Sequence, residues 1–284
     1  ASAYATWTCQ WESTLAGEGI CCAMVPCSDA AGARYGRIMG AGSGPNENTF
    51  QCAVPAGTFK KLFVVLDIDP GTAPDAYRFT LQVDGVASAL TTTITADNTT
   101  GSDIVNTVHV NAGQLVDIFV EPLNTPLNDI NGAVGLVFVP DDGKTSIIIG
   151  TSTLFPSTAA VTYNYLIGSG HAWDATESNM YSICQTPLIL KNMYLVLVNA
   201  PGAGKSWTLA TRVNGAGIGS PAALAVTISG TATSGSDLAN SYTIPSDGLT
   251  CGVECTPAGT PADPIEMKWT WGVQFKKAGW VQII

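Results

Sequence analysis

The run most suggestive of catalysis in this chain is Asn199 to Ser206, NAPGAGKS, which imitates a phosphate-binding loop. A working loop needs Gly where Asn199 stands, and a helix after Ser206 whose N-terminus receives the phosphates. Here WTLATRV, a strand-like run, follows, so the stretch is expected to be an inter-strand turn. Asp67 and Asp69 precede Pro70-Gly71 with the alternating spacing of hard-cation ligands. The matching stretch later in the chain reads Val198-Asn199-Ala200-Pro201-Gly202, without the carboxylates, so a solvated strand end is the expectation and no metal is assigned. Asp141-Asp142 is read the same way. His109 lies in an alternating strand pattern. His171, with Trp173, Asp174 and Glu177, follows a Gly-rich break and lacks a serine elbow or an acid at triad spacing. His171 and Trp173 are therefore carried as surface ligand contacts, with a surface glycan as the ligand class, and no catalytic residue or cofactor is assigned.

Eight cysteines are unevenly spread. Cys9, Cys21, Cys22 and Cys27 crowd the first 32 residues, with Cys52, Cys184, Cys251 and Cys255 further on. No pair of CxxC motifs or histidines suggests zinc. Cys9, Cys21, Cys22, Cys27, Cys251 and Cys255 are candidates for disulfides whose connectivity stays open. Cys251 and Cys255 share one face of a strand and must reach separate neighbours. Cys52 and Cys184 fall at equivalent places before Pro55 and Pro187. Of the tryptophans, Trp207, Trp269 and Trp271 are expected in packing rather than on a sugar platform.

What positions these residues is a duplication. Leu62 to Gly85 returns as Met193 to Gly215: an apolar run ends at Pro-Gly, an aromatic (Tyr77, Trp207) opens the next run, and that run ends at Asp84-Gly85 or Asn214-Gly215. These dipeptides favour the positive φ of a type I′ hairpin turn. RYGRIMGAGSG is echoed by TYNYLIGSGHA, and ALTTTITADNTTGSD by ALAVTISGTATSGSD, each read as a strand and a turn ending in Gly-Ser-Asp. Residues 132–149 are matched with 268–284. Leu90, Thr92 and Ile94 alternate with Thr91, Thr93 and Thr95, the pattern of a sheet with two distinct faces.

With 284 residues, 46% hydrophobic and 12% charged, 30 Gly and 16 Pro, the chain suits an all-β protein with many turns. The expected fold is two tandem antiparallel β-sandwiches of jelly-roll kind; an immunoglobulin-like strand order stays open. The boundaries read 1–32, a Cys-rich arm or cap with Trp7, Trp11 and Met24 as assembly contacts; 33–150, the first sandwich; 151–161, a short linker; and 162–284, the second. A net charge of -10 argues against nucleic acid. No apolar run approaches the roughly 20 residues of a membrane-spanning helix, so no membrane insertion is expected.

The repeated PG-x(4,6)-[YW]-x(5)-V-[DN]-G and TI[TS]-x(4,6)-GSD, with a late TP, resemble a tandem β-sandwich module of bacteriophage virion proteins such as capsid decoration proteins and fibres. The resemblance spans about residues 33–284. It implies a non-enzymatic virion surface protein that assembles with copies of itself and with other virion proteins, and a double-jelly-roll capsid protein is a close variant. The alternative is a secreted bacterial module that binds carbohydrate or builds an extracellular filament or adhesin.

Overall fold

The structure is a computed structural model that describes residues 17–28, 32–152, 154–168, 172–184, 186–218, 223–246, 248–264 and 266–275. It is all-β, and the chain divides into two compact units, Ile20–Asp141 and Asp142–Ile284 together with Ala1–Gly19.

The first unit holds β1 (Gly19–Cys27), β2 (Arg34–Gly36), β3 (Gly40–Ala41), β4 (Ser43–Gly44), β5 (Cys52–Ala53), β6 (Gly57–Leu66), β7 (Ala76–Val83), β8 (Val86–Thr95), β9 (Thr100–Val110), β10 (Leu115–Leu123) and β11 (Ile130–Pro140). One sheet runs β3-β1-β11-β6-β9; the other runs β4-β2-β10-β7-β8, with β5 also on β10. The second unit holds β12 (Ser146–Ser152), β13 (Thr162–Tyr165), β14 (Ser182–Cys184), β15 (Leu188–Leu197), β16 (Gly202–Val213), β17 (Ala216–Gly217), β18 (Ala225–Gly230), β19 (Ser234–Ile244), β20 (Leu249–Ala258) and β21 (Met267–Phe275). Its sheets run β12-β21-β15-β19 and β13-β20-β16, with β14 on β20 and with β17 and β18 on β16. Numbering the main strands of either unit from one to eight gives the sheets 1-8-3-6 and 2-7-4-5, the jelly-roll order. This strand order excludes the immunoglobulin-like arrangement.

Three expectations need correction. Residues 19–27 are not an appendage, because β1 lies between β3 and β11 in the first sheet. Cys21, Ala23, Val25 and Cys27 point into the core while Met24 is exposed. Residues 146–152 do not close the first sandwich. Strand β12 pairs along its length with β21, from Ser146↔Val273 to Ser152↔Met267, so the unit boundary falls at Asp141/Asp142 and 151–161 lies inside the second unit. The parallel pairings Ala23↔Gly40 and Gly150↔Gly168 show β1 and β12 in the same role. Finally, Cys52 pairs with Val116 whereas Cys184 pairs with Leu249 and Ser182 with Cys251, so Cys184 corresponds to Val54. The second unit carries two more residues between this strand and the following proline. The part of the 268–284 match beyond 275 lies outside the described residues.

Inward-facing positions build each core by strand alternation. In β8, Leu90, Thr92 and Ile94 are buried. Tyr77 and Trp207 are fully buried and correspond: the Tyr77 hydroxyl donates to the Asn128 carbonyl (2.8 Å) and the Trp207 indole to that of Ala262 (3.1 Å). Each ring fills the core and ties down the loop before the last strand. The hairpin turns have positive φ at both central residues, Asp84 (49°) and Gly85 (76°), Asn214 (50°) and Gly215 (73°), as type I′ requires.

Alternation breaks at the same place in β6 and in β15. In β6, Gly57 and Phe59 face inward, then Leu62, Val64 and Leu66; in β15, Leu188 and Leu190, then Met193, Leu195 and Leu197. The extra residues, Lys61 (φ 55°) and Asn192 (φ 49°), are β-bulges that flip the facing parity.

Candidate functional site

Most polar residues singled out in the sequence are occupied with backbone. Asp67 accepts from the Asn131 backbone and side chain (both 2.6 Å), contacts that hold its carboxyl below the usual range. Asp69 accepts from Gly71 N (3.0 Å). Asp174 accepts from Asn179 Nδ2 (3.0 Å) and Thr176 N (2.7 Å), in that order the causes of its lowered carboxyl. His109 is exposed and lies 2.9 Å from Asp141. Only 199–201 of the 199–206 run lie between strands; 202–206 already belong to β16, so the run is followed by a strand and not by a helix.

Trp173 is half-buried. Its ring packs at 5.7 Å and 59° on buried Trp269, and its indole donates to the Leu154 carbonyl (3.0 Å). Cys9, Trp7, Trp11 and His171 lie outside the described residues.

Cys251 and Cys255 do reach separate neighbours, as free thiols. Cys255 Sγ lies 3.8 Å from Met267 Sδ, and contact with the Cys184 thiol, then burial, pushes the Cys251 thiol up. Burial pushes Cys21 well up and Cys27 to about 11. Cys22 is half-buried on β1. Thiols held protonated in a core are poor nucleophiles.

Two sites emerged that sequence reasoning missed. The first is the Gly-Ser-Asp of each unit, which lies within β9 and β19 and not in a turn. Asp103 accepts from Val105 N (3.1 Å), Asn106 N (3.0 Å), Asn106 Nδ2 (2.9 Å) and Thr91 N (3.2 Å). Asp237 repeats this with Ala239 N, Asn240 N, Asn240 Nδ2 and Ala225 N. Each carboxylate props the segment opposite the bulge and reaches a strand of the facing sheet. Burial alone would raise the Asp103 carboxyl, but the hydrogen bonds from Asn106, Thr91 and Val105 outweigh it and lower it. The legible signal was the shared Asp-x-x-Asn, GSDIVN and GSDLAN.

The second lies on the outer face of the other sheet, beneath a 3-10 turn (Glu47–Thr49 in the first unit, Glu177–Met180 in the second). In the second unit Arg212 donates to both oxygens of Glu177 (3.0 Å each) and to the Gly215 carbonyl (2.6 Å). It also pairs with Glu254 (3.1 Å) and lies 5.9 Å over the Tyr163 ring. In the first unit the corresponding cross-strand pair is Gln82 with Asp117. Asp117 is fully buried, and neither of its oxygens, nor Oε1 of Gln82, has a hydrogen-bond partner. Burial, then the Glu47 charge, pushes the Asp117 carboxyl up to about 8, with the Gln51 amide acting the other way. Gln51 donates to Glu47 (2.6 Å).

A third feature is apolar. On the outer face of the first sheet, Met24 (48% exposed), Phe63 (50%) and Val65 (52%) stand in the open. Phe63 pairs with Ser102 as Tyr194 pairs with Ser236, so Tyr194 and Val196 are the counterparts in the second unit, where they are 4% and 6% exposed.

Among the described residues, no three His, Cys, Asp or Glu side chains converge to hold a metal ion, and no helix is long and apolar enough to cross a membrane. No protein-family model matches this chain, and no curated protein is significantly similar to it.

Proposed function

We propose that the protein is a non-enzymatic structural protein of a bacteriophage particle, displayed on the capsid or tail surface. In this reading the two jelly rolls descend from one duplicated ancestor, and the chain assembles with copies of itself and with other virion proteins. The observation that carries it is the open apolar face of Met24, Phe63 and Val65, whose counterpart in the second jelly roll is buried. Apolar patches of this kind mark association surfaces. The occupant in this reading is a second copy of this chain, since Phe63 and Val65 are open at the positions where Tyr194 and Val196 are buried in the second jelly roll. The polar residues that most resembled chemistry support the reading further, because they are engaged in holding turns and strand ends. The tandem jelly rolls favour the capsid form, an argument from fold alone.

The glycan-binding alternative loses support at Trp173, whose half-buried ring packs at a tilt on Trp269 and whose N–H is taken by the Leu154 carbonyl. Mass spectrometry of purified phage particles from a host carrying this gene tests the reading. Recovery of the chain in stoichiometric amounts is expected, and its persistent absence from intact particles would overturn it.

A further inference from the structure

Register places Arg212 and Gln82 at one position and Tyr163 and Tyr35 at another, and Glu177 and Glu47 each open the 3-10 turn of their unit. In the second unit a guanidinium fills the space between acidic side chains and the 3-10 turn, and its charge holds that turn to the sheet. The first unit replaces this internal cation by the neutral amide of Gln82. Opposite it, where Gly252 stands in the second unit, is the carboxyl of Asp117. Two acidic groups, Glu47 and Asp117, thus face one another's field under the turn, and Gln82 adds a buried, unpartnered carbonyl oxygen.

Arg37, which follows β2, donates Nη1 to the Ala41 carbonyl (2.9 Å) and lies 4.9 Å over the Phe50 ring. A fully buried carboxyl whose one polar neighbour on the donor side, the Gln51 amide, is spent on Glu47 (2.6 Å) is costly unless something positive meets it. The available ligand atoms are all oxygens, the donor set of hard cations.

We propose that the first jelly roll binds a hard divalent cation, of the calcium or magnesium class, through Asp117, Glu47 and Gln82 Oε1, in the role that the Arg212 guanidinium plays in the second. Water completes its coordination. The cation clamps the Glu47–Thr49 turn, and through it the entry to β5, onto β10. The site does not depend on the assembly role.

The test uses the full chain, stripped with a chelator, and follows thermal unfolding as CaCl2 or MgCl2 is added at constant ionic strength, with calorimetric titration of the same salts. Ligand binding to the native state raises Tm progressively with concentration. The wild type is expected to gain several degrees at saturating cation, D117N to fold and show no gain, and E47Q to bind at least tenfold more weakly. The informative variant is Q82R, which supplies its own guanidinium. It should match the cation-loaded wild type in chelator and respond to neither salt. An unchanged wild-type Tm with no calorimetric binding of either ion would overturn the proposal, leaving Asp117 as a buried protonated acid. So would a D117N protein that responds as the wild type does.

Discussion

The Asp103 carboxylate accepts the backbone N–H of Thr91 at 3.2 Å, and this bond joins an edge of one sheet to an edge of the other. The same carboxylate supports the chain opposite the Lys61 bulge through Val105 and Asn106. Removing it leaves three backbone donors to find new acceptors. Asp103→Ala should therefore cost about 3 kcal/mol. Asp237→Ala should act similarly on the second jelly roll, and Asp103→Asn should cost less than either. Urea unfolding of the three variants checks this ordering.

The bulge residues make a prediction of opposite sign. Lys61 and Asn192 both sit in the left-handed region, where a β-carbon is strained and Asn is tolerated better than Lys. Lys61→Gly should stabilise by about 0.5 to 1 kcal/mol. Asn192→Gly should change little, and Lys61→Val should destabilise. Differential scanning calorimetry resolves these differences as shifts in Tm.

Asp142 sets an acid limit. Burial would raise its carboxyl, but the Thr145 hydroxyl, the backbone N–H groups of Lys144 and Thr145, and Lys191 Nζ (3.3 Å) hold it down at about 2. Its folded pKa lies below the unfolded value of roughly 4. The stabilisation is thus complete above the unfolded pKa and is lost as pH falls through the window toward 2. Asp142→Asn should flatten the acid side of the stability profile and leave its shape above pH 5 unchanged. Tm measured between pH 2 and 6 for both proteins decides it.

At Gly150, β12 runs directly against the Trp269 indole. A β-carbon there would collide with the Trp269 indole and come within 2.9 Å of the Leu166 carbonyl, the acceptor that the indole uses at 3.0 Å. Gly150→Ala should destabilise by about 3 kcal/mol or more. Loss of the native tryptophan fluorescence signal at lower denaturant would report it.

Much of this architecture was legible because its turns and strand starts are punctuated by residue type. The I′ dipeptides, the aromatics Tyr77 and Trp207, and the Leu90/Thr92/Ile94 alternation each dictate local structure from short-range chemistry. The failures have a common physical source. SIIIGTS is buried along its whole length, so its pattern does not say which sheet receives it. GICCAMVPC alternates as a strand should, but its cysteines suggested staples. The Lys61 and Asn192 bulges look like ordinary exposed polar residues until the parity of their neighbours is followed. The cluster of Glu47, Gln82 and Asp117 draws on three elements distant in sequence, and no spacing rule connects them.

The assembly role is tested most directly by sedimentation velocity on the purified full chain and on a Phe63→Asp, Val65→Asp double variant. Both residues are half-exposed, so the variant should keep the wild-type Tm. The wild type is predicted to associate as its concentration rises, and the variant to stay monomeric. A wild-type protein that sediments as a monomer throughout, or a variant that associates equally well, would contradict the account.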